Sequence, residues 1–244
     1  MIGDKLVITE YHLSNGRKVA RACIDMLKKA DGVFTISVAG ESGSGKSETA
    51  ATTAQELEKL GYKVLILGQD DYFVLPPKSN SIRRLEGIDW VGPGEVHLDL
   101  LDENLAAAKR GDTSITKPLV HFQENMIDEE TISLEGVNVV IAEGTYTSLL
   151  EEINFRAFID RTYHDTLKHR KKRLDLEARG LIKGAQAIYL GPGRKPGFSR
   201  LHVFGAEDPQ ISAASIVKIE QEADEEPFIP FAARMGATFL HGAA

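Results

Sequence analysis

Thr35 to Ala50 reads TISVAGESGSGKSETA, an apolar run that enters a glycine-rich turn and leaves it through a lysine and a serine. Gly40 to Ser47 fits G-x-x-x-x-G-K-[ST]. Glycines let the backbone wrap closely enough for its N–H groups to converge on phosphate oxygens, and a helix opening behind them adds partial positive charge. The pattern therefore predicts a strand, a phosphate-binding loop and a helix in that order. Candidate nucleotide contacts are Gly40, Glu41, Ser42, Gly43, Ser44, Gly45, Lys46, Ser47 and Glu48, with Lys46 reaching the β and γ phosphates. The Ser47 hydroxyl is the natural Mg²⁺ ligand.

Around this motif, short apolar runs alternate with longer amphipathic segments, which predicts α/β architecture with a mainly parallel sheet. The strand candidates are Val33–Ala39, Lys63–Leu67, Val137–Ala142 and Ala157–Ile159. Ser47–Leu60 reads as a helix ended by Gly61, and Leu98, Leu101 and Leu105 share the face of another closed by Gly111. SITKPLVHF and ETISL flank the polar turn QEN, predicting an inserted β-hairpin. Ahead of the nucleotide fold, KLVITEYHL suggests a strand and RKVARACIDMLKKA a helix, together a cover or an oligomer contact. The reading divides the chain into an extension (1–32), a core (33–180) and a divergent segment (181–244). In that last segment LHVF is a weak strand candidate and ISAASIVKIEQEADEE a helical one.

Composition removes several function classes. A chain of 244 residues suits one sizeable α/β domain, and a net charge of −7 argues against a general nucleic-acid binder. The one cysteine, Cys23, reads as a buried thiol of a reducing compartment. No apolar run approaches the about 20 residues that span a bilayer, and no signal-peptide pattern opens the chain. The expectation is a cytoplasmic protein without a membrane or nucleic-acid partner.

Two acidic elements should stand beside the loop. VNVVIAEGTY is a buried-type strand ending in Glu143, at the sheet edge where ligands of such folds bind, so Glu143 is the second candidate Mg²⁺ ligand. KVLILG runs into QDDYF, bringing Asp70 and Asp71 to the same edge. Phosphorylating an alcohol requires removal of its proton as the new bond forms, and one of this Asp pair is the candidate base. Residue types alone leave open which one.

VAGESGSGKSE, LILGQDDYF, KPLVHF, VVIAEGTY and FIDRTYHDTLKHRKKR follow one another as in the uridine kinase/phosphoribulokinase family of P-loop kinases, which the chain resembles from Val33 to Gly180. The resemblance implies a three-layer P-loop NTPase fold with the hairpin on the acceptor side. It implies ATP and Mg²⁺ as nucleotide and metal, Asp70 as the base, and Glu143 as a magnesium ligand. It also implies a lid helix whose arginines, matched by Arg170 and Arg173, reach the phosphates; Arg179 matches less directly, its spacing appearing one residue longer. Tyr72, beside Asp70, joins the acceptor-side candidates.

Departures from the family pattern bear on the acceptor. IDWVGPGEVHLDLL stands where uridine kinases have an Asp-His-Pro element, Pro118-Leu-Val-His-Phe122 replaces Pro-x-Tyr-Asp-Phe, and the nucleoside-meeting histidine falls near Asn125. Arg83, Arg84, Trp90 and His97 lie in the altered region and offer contacts to a small acidic or phosphorylated alcohol. The histidines His121, His164, His169 and His202 show no metal-ligand spacing. The reading is a kinase moving the γ-phosphoryl of ATP to a hydroxyl of a nucleoside, sugar, sugar phosphate or hydroxy acid. A true uridine/cytidine kinase is the runner-up. A nucleotide-binding regulator without transfer is the alternative of another class, against which the missing Asn/Thr-Lys-x-Asp guanine signature speaks.

Overall fold

The computed structural model describes residues 6–161, 165, 200–205 and 216–219. Its main sheet has six strands in the order β2 (Val64–Gly68), β5 (Val139–Gly144), β1 (Phe34–Gly40), β6 (Phe155–Asp160), β7 (Arg200–Gly205) and β8 (Ile216–Ile219). The first four are parallel; β7 runs antiparallel to β6, and β8 antiparallel to β7. β3 (Ser114–His121) and β4 (Met126–Ser133) form the separate antiparallel hairpin.

Every residue of β1 is buried because helices cover both faces of the sheet. One face carries α1 (Glu10–Leu27) and α2 (Lys46–Glu58), which enclose Ile36, Val38, Val139, Ile141 and Ile159. The other carries α4 (Leu98–Arg110), whose Leu101 and Leu105 meet Leu67, Val140 and Ala142. Alternate residues of β5 thus serve opposite layers, as the period of a strand requires. The result is a three-layer α/β fold. Both central leucines of α4 are fully buried, so truncating either to alanine should cost about 2–5 kcal/mol. Gly111 ends α4 at φ +82, a left-handed conformation that glycine adopts without strain. α3 (Pro77–Glu86) lies between β2 and α4 in the chain.

The chain start differs from expectation. Residues 6–9 form no strand, and α1 begins at Glu10 rather than near Arg17. β-branched Val7, Ile8 and Thr9 carry strand propensity, but the Thr9 N–H donates to His12 Nδ1 at 3.1 Å, half of a capping box that starts the helix. Gly16 then lets α1 cross α2 closely, since a Cβ there would lie 2.5 Å from Thr52 Oγ1 and 2.6 Å from its carbonyl carbon. The divergent segment gives one agreement and one difference. LHVF lies in a strand as expected, β7, which runs antiparallel along the open edge of β6. Ile216–Ile219, within the helical candidate, is strand β8, in keeping with its three β-branched residues. Residues 166–199, with Arg170, Arg173, Arg179 and the lid, lie outside the described residues, as do His164 and His169.

Cys23 is fully buried under α1, and desolvation pushes its thiol up from an ordinary 9.0 to about 12. The native thiol should therefore resist alkylation. The raised native pKa gives a stability contribution present below pH 9.0 and lost as pH rises toward 12, because only the unfolded chain ionises its thiol in that window. Iodoacetamide labelling that is slow in buffer and fast in denaturant would bear this out; rapid labelling of the native protein would contradict it.

Candidate functional site

The parallel register brings three chain reversals to one sheet edge. Ala39 pairs with Gly144, and Gly68 pairs with Glu143, so the ends of β1, β5 and β2 lie side by side. After β1 the chain wraps through Gly40 (φ +155), Gly43 (φ +76) and Gly45 (φ +92) before entering α2. A Cβ on Gly40 would meet Ser44 Oγ at 2.8 Å and the Ile159 carbonyl oxygen at 2.9 Å, so no side chain fits that cradle. Lys46 Nζ donates to the Glu41 carbonyl at 3.0 Å and thus lies across the loop. Glu48 stands in the first turn of α2.

Ser47, the second residue of α2, donates its hydroxyl to Glu143 Oε1 at 3.2 Å. Gly68 makes room for that carboxylate, since a Cβ there would sit 3.3 Å from Oε1. Burial, and then the charge of Asp70, push the Glu143 carboxyl up to about 7, against the pull of Lys46 and the Ser47 hydrogen bond. A buried carboxylate with a second one nearby favours a neighbouring cation. Among the described residues no group of three or more His, Cys, Asp or Glu side chains makes a closed metal site. One serine and one carboxylate completed by phosphate oxygens and water suit Mg²⁺, which keeps much of its hydration.

Asp70 and Asp71 part company structurally. They lie in a 3-10 turn, Gln69–Tyr72, directly after β2. Asp71 is buried, pairs with Lys117 Nζ at 2.9 Å and accepts the Val120 N–H at 3.1 Å, which fastens the hairpin to the turn. Lys117 is itself 4 % exposed and also meets Glu130 at 2.7 Å. Asp70 is exposed and close enough to Glu143 for its charge to act on that carboxyl. Gln69, which sequence reasoning missed, holds the arrangement from below. Its Oε1 accepts the Tyr146 N–H at 2.7 Å, and its Cβ would be 2.3 Å from a Cβ on Gly144.

Several acceptor-side candidates have other partners. Tyr72 is fully buried, and its hydroxyl accepts from Asn104 Nδ2 at 3.0 Å, placing it in the core rather than at a ligand. Asn125, at φ 52, accepts the Lys78 N–H at 2.8 Å and the Ser79 N–H at 3.3 Å, so its side chain caps α3. Arg84 Nε donates to Glu95 Oε2 at 2.7 Å in a buried pair. Asn80 Nδ2 joins the same carboxylate at 3.2 Å, Tyr146 Oη donates to its other oxygen at 3.2 Å, and Trp90 Nε1 donates to Asn80 Oδ1 at 2.7 Å. Arg83 stays at the surface, 3.5 Å from Glu86 and 5.6 Å from the Trp90 ring. His97 is exposed at the start of α4, its N–H bound to the Tyr72 carbonyl. The buried Asn80–Glu95–Tyr146 set carries no sequence signal, because its members are far apart in the chain.

Among the described residues no helix is long and apolar enough to cross a membrane. The chain is 32% identical to uridine kinase of Yersinia pestis (strain Pestoides F) over 160 residues, covering 64% of this chain and 74% of the relative. Uridine kinase of Yersinia enterocolitica serotype O:8 / biotype 1B matches with the same identity and coverage. In fold it is similar to a solved structure from Silicibacter sp. TM1040 described as a fructose transport system kinase, with a TM-score of 0.52, 19% identity and coverage of 64% and 82% of the two chains. The model of the Phosphoribulokinase / Uridine kinase family matches residues 35–189, spanning the loop, the Asp70 turn and the Glu143 strand end. The chain is a kinase of that family.

Proposed function

We propose that the protein transfers the γ-phosphoryl group of ATP, with Mg²⁺, to a hydroxyl of a small polyhydroxy or acidic metabolite. The observation that carries this reading is the meeting of Ser47 and Glu143 at the head of the glycine loop, with exposed Asp70 on the neighbouring strand end. Backbone N–H groups of Gly40–Ser47 and the start of α2 would hold the phosphates. Lys46 would leave the Glu41 carbonyl for the β and γ oxygens, exchanging a neutral acceptor for a charged one. Ser47 and Glu143 would hold Mg²⁺, whose charge offsets that developing on the phosphates. Asp70 would take the proton of the acceptor hydroxyl as its oxygen bonds to phosphorus. Arg170 and Arg173 enter this proposal from the family resemblance, as lid cations over the transferring group.

The ties of Asp71 to Lys117 and the hairpin support Asp70, rather than Asp71, as the base. Asp70→Asn should lower kcat by about 10²–10⁴-fold at little change in ATP affinity. Asp71→Asn should instead lower unfolding stability by roughly 1–3 kcal/mol, since it weakens a buried charged contact. Steady-state kinetics beside denaturant melts separate the two. Loss of turnover in Asp71→Asn at undiminished stability, with Asp70→Asn active, would move the base to Asp71.

The acceptor is read from what the hairpin withholds. Of the three positions that replace nucleoside-reading groups, Val120 is fully buried and apolar and Asn125 is engaged with α3, while His121 keeps a buried Nε2 without a hydrogen-bond partner among the described residues, one polar group where a base needs several. A site lacking those partners leaves a base's polar groups unpaired on burial, which costs affinity heavily. Surface-lying Arg83 and His97 suit an anionic or polyhydroxy ligand better. Competitive kcat/KM values should favour a sugar, sugar phosphate or hydroxy acid over uridine and cytidine. A clear preference for uridine or cytidine would overturn this acceptor class and leave the phosphotransfer reading intact.

A further inference from the structure

α1 lies before the residues 35–189 matched by the family model, yet it packs on the phosphate loop. Thr52 Oγ1 of α2 donates to the His12 carbonyl at 2.8 Å, and a Cβ on Gly45 would lie 2.7 Å from His12 Nε2. The imidazole therefore rests against the last glycine of the loop. Because Nδ1 accepts the Thr9 N–H, the neutral ring carries its proton on Nε2, the loop-facing nitrogen. One residue away, Tyr11 lies under Arg161, whose guanidinium carbon is 4.9 Å from the ring centroid. Arg161 directly follows β6, the strand whose Ile159 carbonyl closes on Gly40. The first turn of α1 thus meets the last glycine of the loop through His12 and the residue after β6 through Tyr11.

The flank of α1 beside Tyr11 borders a cavity of about 360 Å³ lined by Glu10, Tyr11, Ser14, Asn15 and Lys18. Asn15 is 3% exposed, and its Nδ2 has no hydrogen-bond partner among the described residues. A buried amide donor left unpaired costs free energy, so a ligand acceptor at that point would be favoured. The volume falls within the range of small-molecule sites. Direction supplies the ligand's identity. Ser47 and Glu143 would hold the terminal phosphates on the β5 and β2 side of β1, whereas β6, followed by Arg161 and the Tyr11 ring, lies on the opposite side of that strand. A nucleotide whose phosphate chain follows the loop would leave it toward the end of β6, where Arg161 lies over Tyr11 of α1.

We propose that α1 builds the nucleoside half of the nucleotide site, with Asn15 Nδ2 donating to a ring acceptor of a purine base that lies beside Tyr11 and Arg161. This rests on the reading of Gly40–Ser47 as the ATP phosphate loop, and the test separates the two. Isothermal titration of the full chain with Mg-ATP and with Mg-tripolyphosphate, which has the phosphate chain without the nucleoside, is compared for the wild type, Asn15→Leu and Tyr11→Ala. The expected result is wild-type binding of both ligands, with ATP affinity reduced about tenfold or more in each variant and tripolyphosphate affinity within about twofold. Unchanged ATP affinity in both variants overturns the role of α1 and leaves the loop assignment standing. Equal weakening of both ligands in both variants also overturns it, assigning Asn15 and Tyr11 to the fold. A wild type that binds neither ligand removes the loop assignment and, with it, this proposal.

Discussion

The site exists because four parallel strands end level. Parallel pairing of β5 with β1 and with β2 sets Glu143 beside Gly68 on one flank and Gly144 beside Ala39 on the other. The loop, the Glu143 carboxylate and the Asp70 turn then share one edge without any long side chain reaching for another. A slip by one residue in β5 would carry Glu143 to the other face of the sheet and exchange its two apolar layers, so burial of β5 on both sides holds the chemistry in register.

Small residues at that edge are requirements of packing. Gly144 yields to Gln69, Gly68 yields to the Glu143 carboxylate, and Gly40 yields to Ser44 and Ile159. Polar ties then orient what packing brings close. Gln69 joins the β2 end to the backbone after β5, and Asp71 with Lys117 joins it to the hairpin. A buried pair such as Asp71–Lys117 adds modest net stability, because desolvation offsets the attraction, but breaking one side of it is costly. Its consequence here is geometric: the turn that carries exposed Asp70 is fastened to the hairpin.

Features carried by local pattern were legible in the sequence. The glycine loop, the unalternated strands β1 and β5, the leucine face of α4 with Gly111, and the QEN hairpin all appear close to the expected positions. The N-terminal segment was not, because β-branched Val7–Thr9 speak for strand, whereas one Thr9–His12 contact starts a helix. Side-chain direction was illegible too. Tyr72, Arg84 and Asn125 are residue types that bind ligands, but each has a partner distant in the chain that claims its polar group. Choosing Asp70 over Asp71 came from the family resemblance, since the Lys117 tie that distinguishes them joins positions with no shared sequence signal.

The central claim is that this edge moves a phosphoryl group to a carbon-borne hydroxyl rather than only holding a nucleotide. Incubation of the full chain with γ-³²P-labelled ATP, Mg²⁺ and a mixture of nucleosides, sugars, sugar phosphates and hydroxy acids, followed by separation of products, tests it directly. The account predicts label in an organic phosphoester that forms only when the mixture is present. Label confined to ATP and inorganic phosphate, in equal amounts with and without the mixture, would contradict it.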